Sequence, residues 1–167
     1  MDAASRSWLA VELAQSEAAS NNSRGFQIGI ADAYQHLGGP DGVEIGGRFL
    51  GAWHAGVIER AHGRGLLVLG NPRDAYAVLE RAIAHCRGHG RLLGRIYLAQ
   101  ACVVIGEPEE ACRLLSKAYT AAAANGYGLA LGLISQARAR IPNEMSTLPC
   151  MQQLDERLGL IGGQHPV

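Results

Sequence analysis

GNPRDAYAVLERAIAHC, residues 70–86, and GEPEEACRLLSKAYTAA, residues 106–122, decide the fold. One step of 36 residues carries Gly70 onto Gly106, Ala75 onto Ala111, Leu79 onto Leu115 and Ala82 onto Ala118. In the first stretch Ala75, Val78, Leu79, Ala82, Ile83 and Cys86 recur at three- and four-residue steps, which predicts a helix over 72–87 with one apolar stripe. Asn71 is placed to cap it through a side-chain oxygen, and Pro72 suits the first helical position, where no N–H partner is lost. Gly88 and Gly90 read as its end. In the second stretch Pro108 starts a helix and Glu109 and Glu110 favour its positive end. Ala111, Leu114, Leu115, Ala118 and Tyr119 take one side, Glu110 the wet side, and Asn125 and Gly126 close it.

Working outward, a helix from about Arg91 to Ile105 joins the two, with Leu92, Leu93, Ile96, Ala99 and Val103 inward. Beyond the second stretch a helix runs to about Ile141 on Ala130, Leu133, Ile134 and Ala137, and Pro142 and Asn143 break it. Residues 149–158 form a short terminal helix on Met151, Leu154 and Leu158. Toward the N-terminus, helices over 6–19 and 25–37 use Trp8, Leu9 and Leu13, then Ile30, Ala33, Tyr34 and Leu37, around a turn at Ser20–Ser23. The glycine-rich 38–47 reads as a loop, and 49–69 as a long helix that Gly63 and Gly65 would kink. No stretch alternates with period two, so no sheet is expected. The fold class expected is all-α, antiparallel helix pairs stacked as a short solenoid. It forms one domain over 1–167, with degenerate pairs in 5–50, the clearest repeats in 56–88 and 92–125, and capping helices in 128–160.

A helix, a Gly turn and a helix repeating near this length resemble the tetratricopeptide repeat. Leu98-Ala99, then Cys102 and Gly106, occupy the places of that family's first-helix pattern. A degenerate copy, Ile30-Ala31-Asp32-Ala33-Tyr34, leads to Gly38, so turn glycines fall at 38, 70 and 106. The family's first-helix Trp and its closing Pro are absent. LAQACVVIGEPEEACRLLSKAY and LDERLGL resemble the C-terminal tetratricopeptide region of bacterial helix-turn-helix regulators of the phage-repressor type. That resemblance covers about residues 56–160 and implies dimerisation and the binding of a signal peptide or small ligand. The DNA-binding domain of such regulators has no counterpart in these residues.

Composition narrows the function further. The 167 residues are 48% apolar and 18% charged, a folded-globular balance, and Lys plus Arg equals Asp plus Glu at 15 each. With no net field, neither direct nucleic-acid binding nor attraction to an anionic membrane is expected. Lys117 is the single lysine among those basic residues, an arginine bias that points to a bacterial source. No secretory leader and no membrane-length apolar run are read, so the expected compartment is the cytoplasm. The four cysteines include no CxxC pair, and Cys102 and Cys112 sit among apolar neighbours as buried thiols.

No catalytic motif, metal set or cofactor is expected. The glycine-rich 38–47 lacks the Gly-Lys-Ser/Thr end of a P-loop, and no GxSxG elbow exists. His85 and His89 are four apart and would share a helix face, but no third and fourth ligands are identifiable; a metal-dependent enzyme is the remote alternative. Arg81, His85, Arg87, His89, Arg91 and Arg95 gather at one interhelical turn, either as a carboxylate anchor for a peptide or as a solvated face. Trp8, Trp53, Tyr34, Tyr97 and Tyr119 read mostly as core. The leading expectation is a non-catalytic recognition module for a protein or peptide partner, with Arg91, Arg95, Tyr97 and Gln100 as its groove. The alternative is a homodimerisation or scaffold domain whose seam is an exposed Leu154 and Leu158.

Overall fold

The computed structural model describes residues 2–38, 45–47 and 51–159. These form an all-helical fold with one short ribbon. The chain divides into two compact units, 1–94 and 95–167, with the division inside one helix.

In the first unit α1 (Ala3–Ala19) and α2 (Ser23–Leu37) form one hairpin, and α3 (Ala55–Val68) and α4 (Pro72–His85) another. Asp2 starts α1 by accepting from the Ser5 N–H at 2.7 Å, and Asn22 starts α2 by accepting from Gly25 at 3.1 Å. Small residues let α1 and α2 approach closely: a Cβ on Gly29 would lie 2.9 Å from the Ala14 methyl and 3.2 Å from the Ala10 carbonyl. Here the sequence reading of α1 is corrected. Its inward face is Ala4, Ser7, Ala10, Val11, Ala14 and Ala18, while Trp8, Leu9 and Leu13 are 40%, 41% and 58% exposed. Bulky side chains on the α2 side would hold the two backbones apart, and the alanine stripe wins that face.

The expectation of no sheet is also corrected. Ile45–Gly47 (β1) and Gly51–Trp53 (β2) pair antiparallel, Ile45 opposite Trp53. The long helix expected over 49–69 therefore begins only at Ala55, capped by His54, whose Nδ1 accepts from the Gly56 N–H at 3.2 Å. Of the stretch expected as a loop, 39–44 lies outside the described residues. Trp53 turns into the core with Ala4, Ala10, Val11, Ala33, Leu37 and Ile58. Its Nε1 donates to the Ser7 hydroxyl at 2.8 Å, and that hydroxyl donates to the Ala33 carbonyl at 2.8 Å, so ribbon, α1 and α2 share one buried chain of hydrogen bonds.

Gly63 and Gly65 serve packing rather than a kink. A Cβ on Gly63 would run into the Leu79 side chain, and one on Gly65 into the Phe26 ring. α4 stops at His85, with Cys86 extended. Gly88 and Gly90, expected to end that helix, instead open α5 (Gly88–Ile105). Asn71 stands at the cap position of α4, yet its side chain makes no cap hydrogen bond; Pro72 begins the helix as expected.

In the second unit the remainder of α5 leads to α6 (Pro108–Ala124), α7 (Gly128–Ala139), a 3₁₀ turn (Asn143–Thr147) and α8 (Pro149–Arg157). α6 packs on α7 and on α8. Leu154 of α8 is 0% exposed and Leu158 half-buried, which removes the seam expected there: Leu154 is core.

One helix ending recurs. After α3, Gly70 has φ +75°, its N–H reaches Leu67 O at 3.2 Å, and the Asn71 N–H reaches Leu66 O at 2.8 Å. After α5, Gly106 has φ +88°, with the same bonds to Val103 O at 3.3 Å and from Glu107 to Cys102 O at 2.8 Å. This is the Schellman ending, in which a left-handed residue lets two orphan carbonyls find donors. A side chain with a Cβ is disfavoured at such a φ, which favours glycine; after α1 Asn21, at φ +58°, makes the same ending. After both glycines the next helix starts at a proline two residues on, Pro72 or Pro108. Among the described residues no helix is long and apolar enough to cross a membrane.

Candidate functional site

The antiparallel pairing of α3 and α4 brings Glu59 to the last turns of α4. Glu59 is 7% exposed, and its carboxylate sits 2.7 Å from His85 Nδ1 and 3.5 Å from Arg81 Nε. A carboxylate taken out of water needs such partners, because its desolvation is costly. Its charge is felt at Tyr34, whose hydroxyl is pushed up to about 12, first by burial and then by Glu59, against the opposing pull of Arg81. His62 lies against Phe26, ring centroids 5.6 Å apart, and its imidazole is held below its ordinary value by burial and then by Arg81, with Asp74 opposing.

This geometry redistributes the basic cluster read from the sequence. Arg81 and His85 are engaged with Glu59. Arg91 Nε donates to Ile83 O at 3.1 Å and to Cys86 O at 2.8 Å, satisfying carbonyls at the end of α4. Three of the six groups expected to meet a ligand are thus used inside the fold. Arg87 and His89 are exposed. His85 closes α4 while His89 lies in the first turn of α5, so the two imidazoles do not share a helix face, the correction to the metal-like reading. Among the described residues no group of three or more His, Cys, Asp or Glu is arranged to hold a metal ion.

The expected groove residues Arg91, Arg95, Tyr97 and Gln100 are all half-buried and all on α5. A helix turns about 100° per residue, which puts Arg91 and Arg95 on one face and Tyr97 roughly 160° around from Arg95. The four therefore do not line one face of that helix. The expected packing residues lie as follows. Gly70 and Gly106 take left-handed turns. Ala75, Leu79, Ala82, Ala99, Ala111, Leu115 and Ala118 are 0% exposed, and Leu98 is buried.

In the second unit Arg138 and Asp155 form a buried pair, and Arg138 also donates to the Ser146 hydroxyl at 2.8 Å. Cys102 and Cys112 are buried, their thiols pushed by burial up to about 11 and about 12.

Sequence reasoning missed one feature of the surface: the outward face of α1. Trp8, Leu9 and Leu13 project there over two turns, interspersed with the exposed Glu12. Ile28 of α2 is 60% exposed. The signal was present in the sequence, since Ala4, Ala10, Ala14 and Ala18 form their own stripe.

Fold and site together define an all-α protein of antiparallel helix pairs. No family model matches the chain, and neither a curated protein nor a solved structure matches it.

Proposed function

We propose that the chain is a non-catalytic helical-repeat recognition module that holds a protein segment in the cytoplasm. The observation that carries this reading is the outward face of α1. Isolated apolar residues on a surface are ordinary, but Trp8, Leu9 and Leu13 stand together, with Glu12 among them, on a helix whose other side is already packed. An amphipathic helix laid along that face would bury its own apolar side there, the helix-on-helix mode of peptide recognition. A setting in transcriptional regulation is supported by the sequence resemblance alone.

The same face favours a second reading, self-association, since a second copy would offer a matching one. Sedimentation of the wild type and of Leu13→Glu over a micromolar range separates the two. A monomeric wild type that binds amphipathic peptides selected from a random library, with binding lost in Leu13→Glu, supports the recognition module. A wild-type dimer that Leu13→Glu converts to monomer supports self-association. A monomer for which no such peptide can be selected overturns both.

A further inference from the structure

The four cysteines differ in their surroundings. Cys86 and Cys102 are 1% and 0% exposed. Cys112 is also fully buried, whereas Cys150, in the first turn of α8, is half-buried. The packing of α8 on α6 places these last two together. The Tyr119 hydroxyl donates to the Arg157 carbonyl at 2.7 Å, a separation of 38 residues, and Arg157 Nη1 reaches the Thr120 hydroxyl at 3.5 Å. Seven residues back along each helix from Tyr119 and Arg157 stand Cys112 and Cys150, again 38 apart. The groups that act on the Cys112 thiol include the neighbouring Cys150, with Ser116 and Arg138.

We propose that Cys112 and Cys150 form a reversible dithiol–disulfide site that a small disulfide of the glutathione class oxidises, tying α8 to α6. The Cys150 thiolate attacks one sulfur of the small disulfide. Its S–S bond breaks, a Cys150 mixed disulfide forms, and one small thiolate leaves. The Cys112 thiolate then attacks the Cys150 sulfur, forming the Cys112–Cys150 bond and releasing the second small thiolate. The two protons lost by the cysteines end on the two small thiols, so two cysteines are oxidised and one small disulfide is reduced. Reaction begins at Cys150 because it alone of the four is not fully buried. The second step is gated by Cys112: burial first, then the neighbouring Cys150, hold its proton on, against Ser116 and Arg138, so this step accelerates as pH rises.

The test treats the full chain with oxidised glutathione and maps the products by mass spectrometry after thiol blocking in denaturant. The expected result is the loss of two free thiols, a peptide linking Cys112 to Cys150, and full reversal by dithiothreitol. Conversion of the mixed disulfide to this link should be several-fold faster at pH 9 than at pH 7. Cys112→Ser should stop at glutathione on Cys150, and Cys150→Ser should keep all its remaining thiols. If either variant fails to fold by circular dichroism, the wild-type map alone decides. Glutathione on Cys150 without the link at both pH values, a link through Cys86 or Cys102, or no reaction overturns the proposal.

Discussion

The guanidinium of Arg138 holds the carboxylate of Asp155 by two parallel hydrogen bonds, Nε to Oδ1 at 2.7 Å and Nη2 to Oδ2 at 2.8 Å, with both side chains more than nine-tenths buried. Removing one member leaves the other charged and dry. Asp155→Ala should therefore cost about 3–5 kcal/mol in a urea titration, and the double change Arg138→Met with Asp155→Leu should recover most of that. The half-exposed Arg113–Glu110 pair on α6 makes the control: Arg113→Ala should stay within about 1 kcal/mol.

Gly63 has no room for a methyl group beneath Leu79, whereas Gly132, exposed in the middle of α7, has nothing near its would-be Cβ. Gly63→Ala should destabilise by roughly 1–3 kcal/mol through overpacking. Gly132→Ala should stabilise by about 0.4–1 kcal/mol, because alanine restricts the unfolded chain and costs nothing in the folded one. Thermal midpoints that move the same way in both variants would contradict this packing.

Ala111 is wholly buried at the start of α6, and its neighbour Glu110 is partly exposed and paired with Arg113, which draws its carboxyl below the usual range. Ala111→Leu should cost about 1–3 kcal/mol. Glu110→Leu loses only a solvent-screened pair and should stay within about 0.5 kcal/mol. Denaturant midpoints measured at one pH check the contrast.

His62 gives a pH signature. Burial and Arg81 hold its folded value below the ordinary 6.5, so in the window beneath 6.5 the unfolded chain takes up the proton more readily than the folded one. Its contribution to stability is full above 6.5 and falls as pH drops toward the lowered folded value. Between pH 7.5 and pH 5.5 the wild type should lose more stability than His62→Gln, as read from urea midpoints. A wild-type loss no greater than that of the variant would show that His62 does not titrate as its surroundings dictate.

How much of this was legible in the sequence follows from where each signal is local. The starts at Pro72 and Pro108 and the left-handed turns at Gly38, Gly70 and Gly106 are set by a few adjacent residues, and they stand where the repeat spacing puts them. The facing of α1 was misread because large apolar side chains outweigh alanines in any tally of hydrophobicity. Close approach of two helices rewards small volume instead, as Ala14 against Gly29 shows. The ribbon at Ile45–Gly47 and Gly51–Trp53 escaped because glycines carry no alternation to read. The engagement of Glu59 with His85 and of Arg138 with Asp155 joins residues 26 and 17 apart, and no local pattern marks either carboxylate as buried. The basic cluster was visible as residues, but its use inside the fold depends on tertiary partners.

Trp53 and Trp8 are the two indoles of the chain, and the fold places one inside and one outside. Trp53 is nearly dry, with its N–H held by Ser7, so its emission belongs at the blue end and is shielded from collisional quenchers. Trp8, 40% exposed on the outward face of α1, meets water in part, and its emission should be red-shifted and open to quenching. The two contributions can be separated by titrating acrylamide. The molecule thus carries an intrinsic pair of optical reporters, one for the integrity of its interior and one for whatever comes to rest on its outer helix.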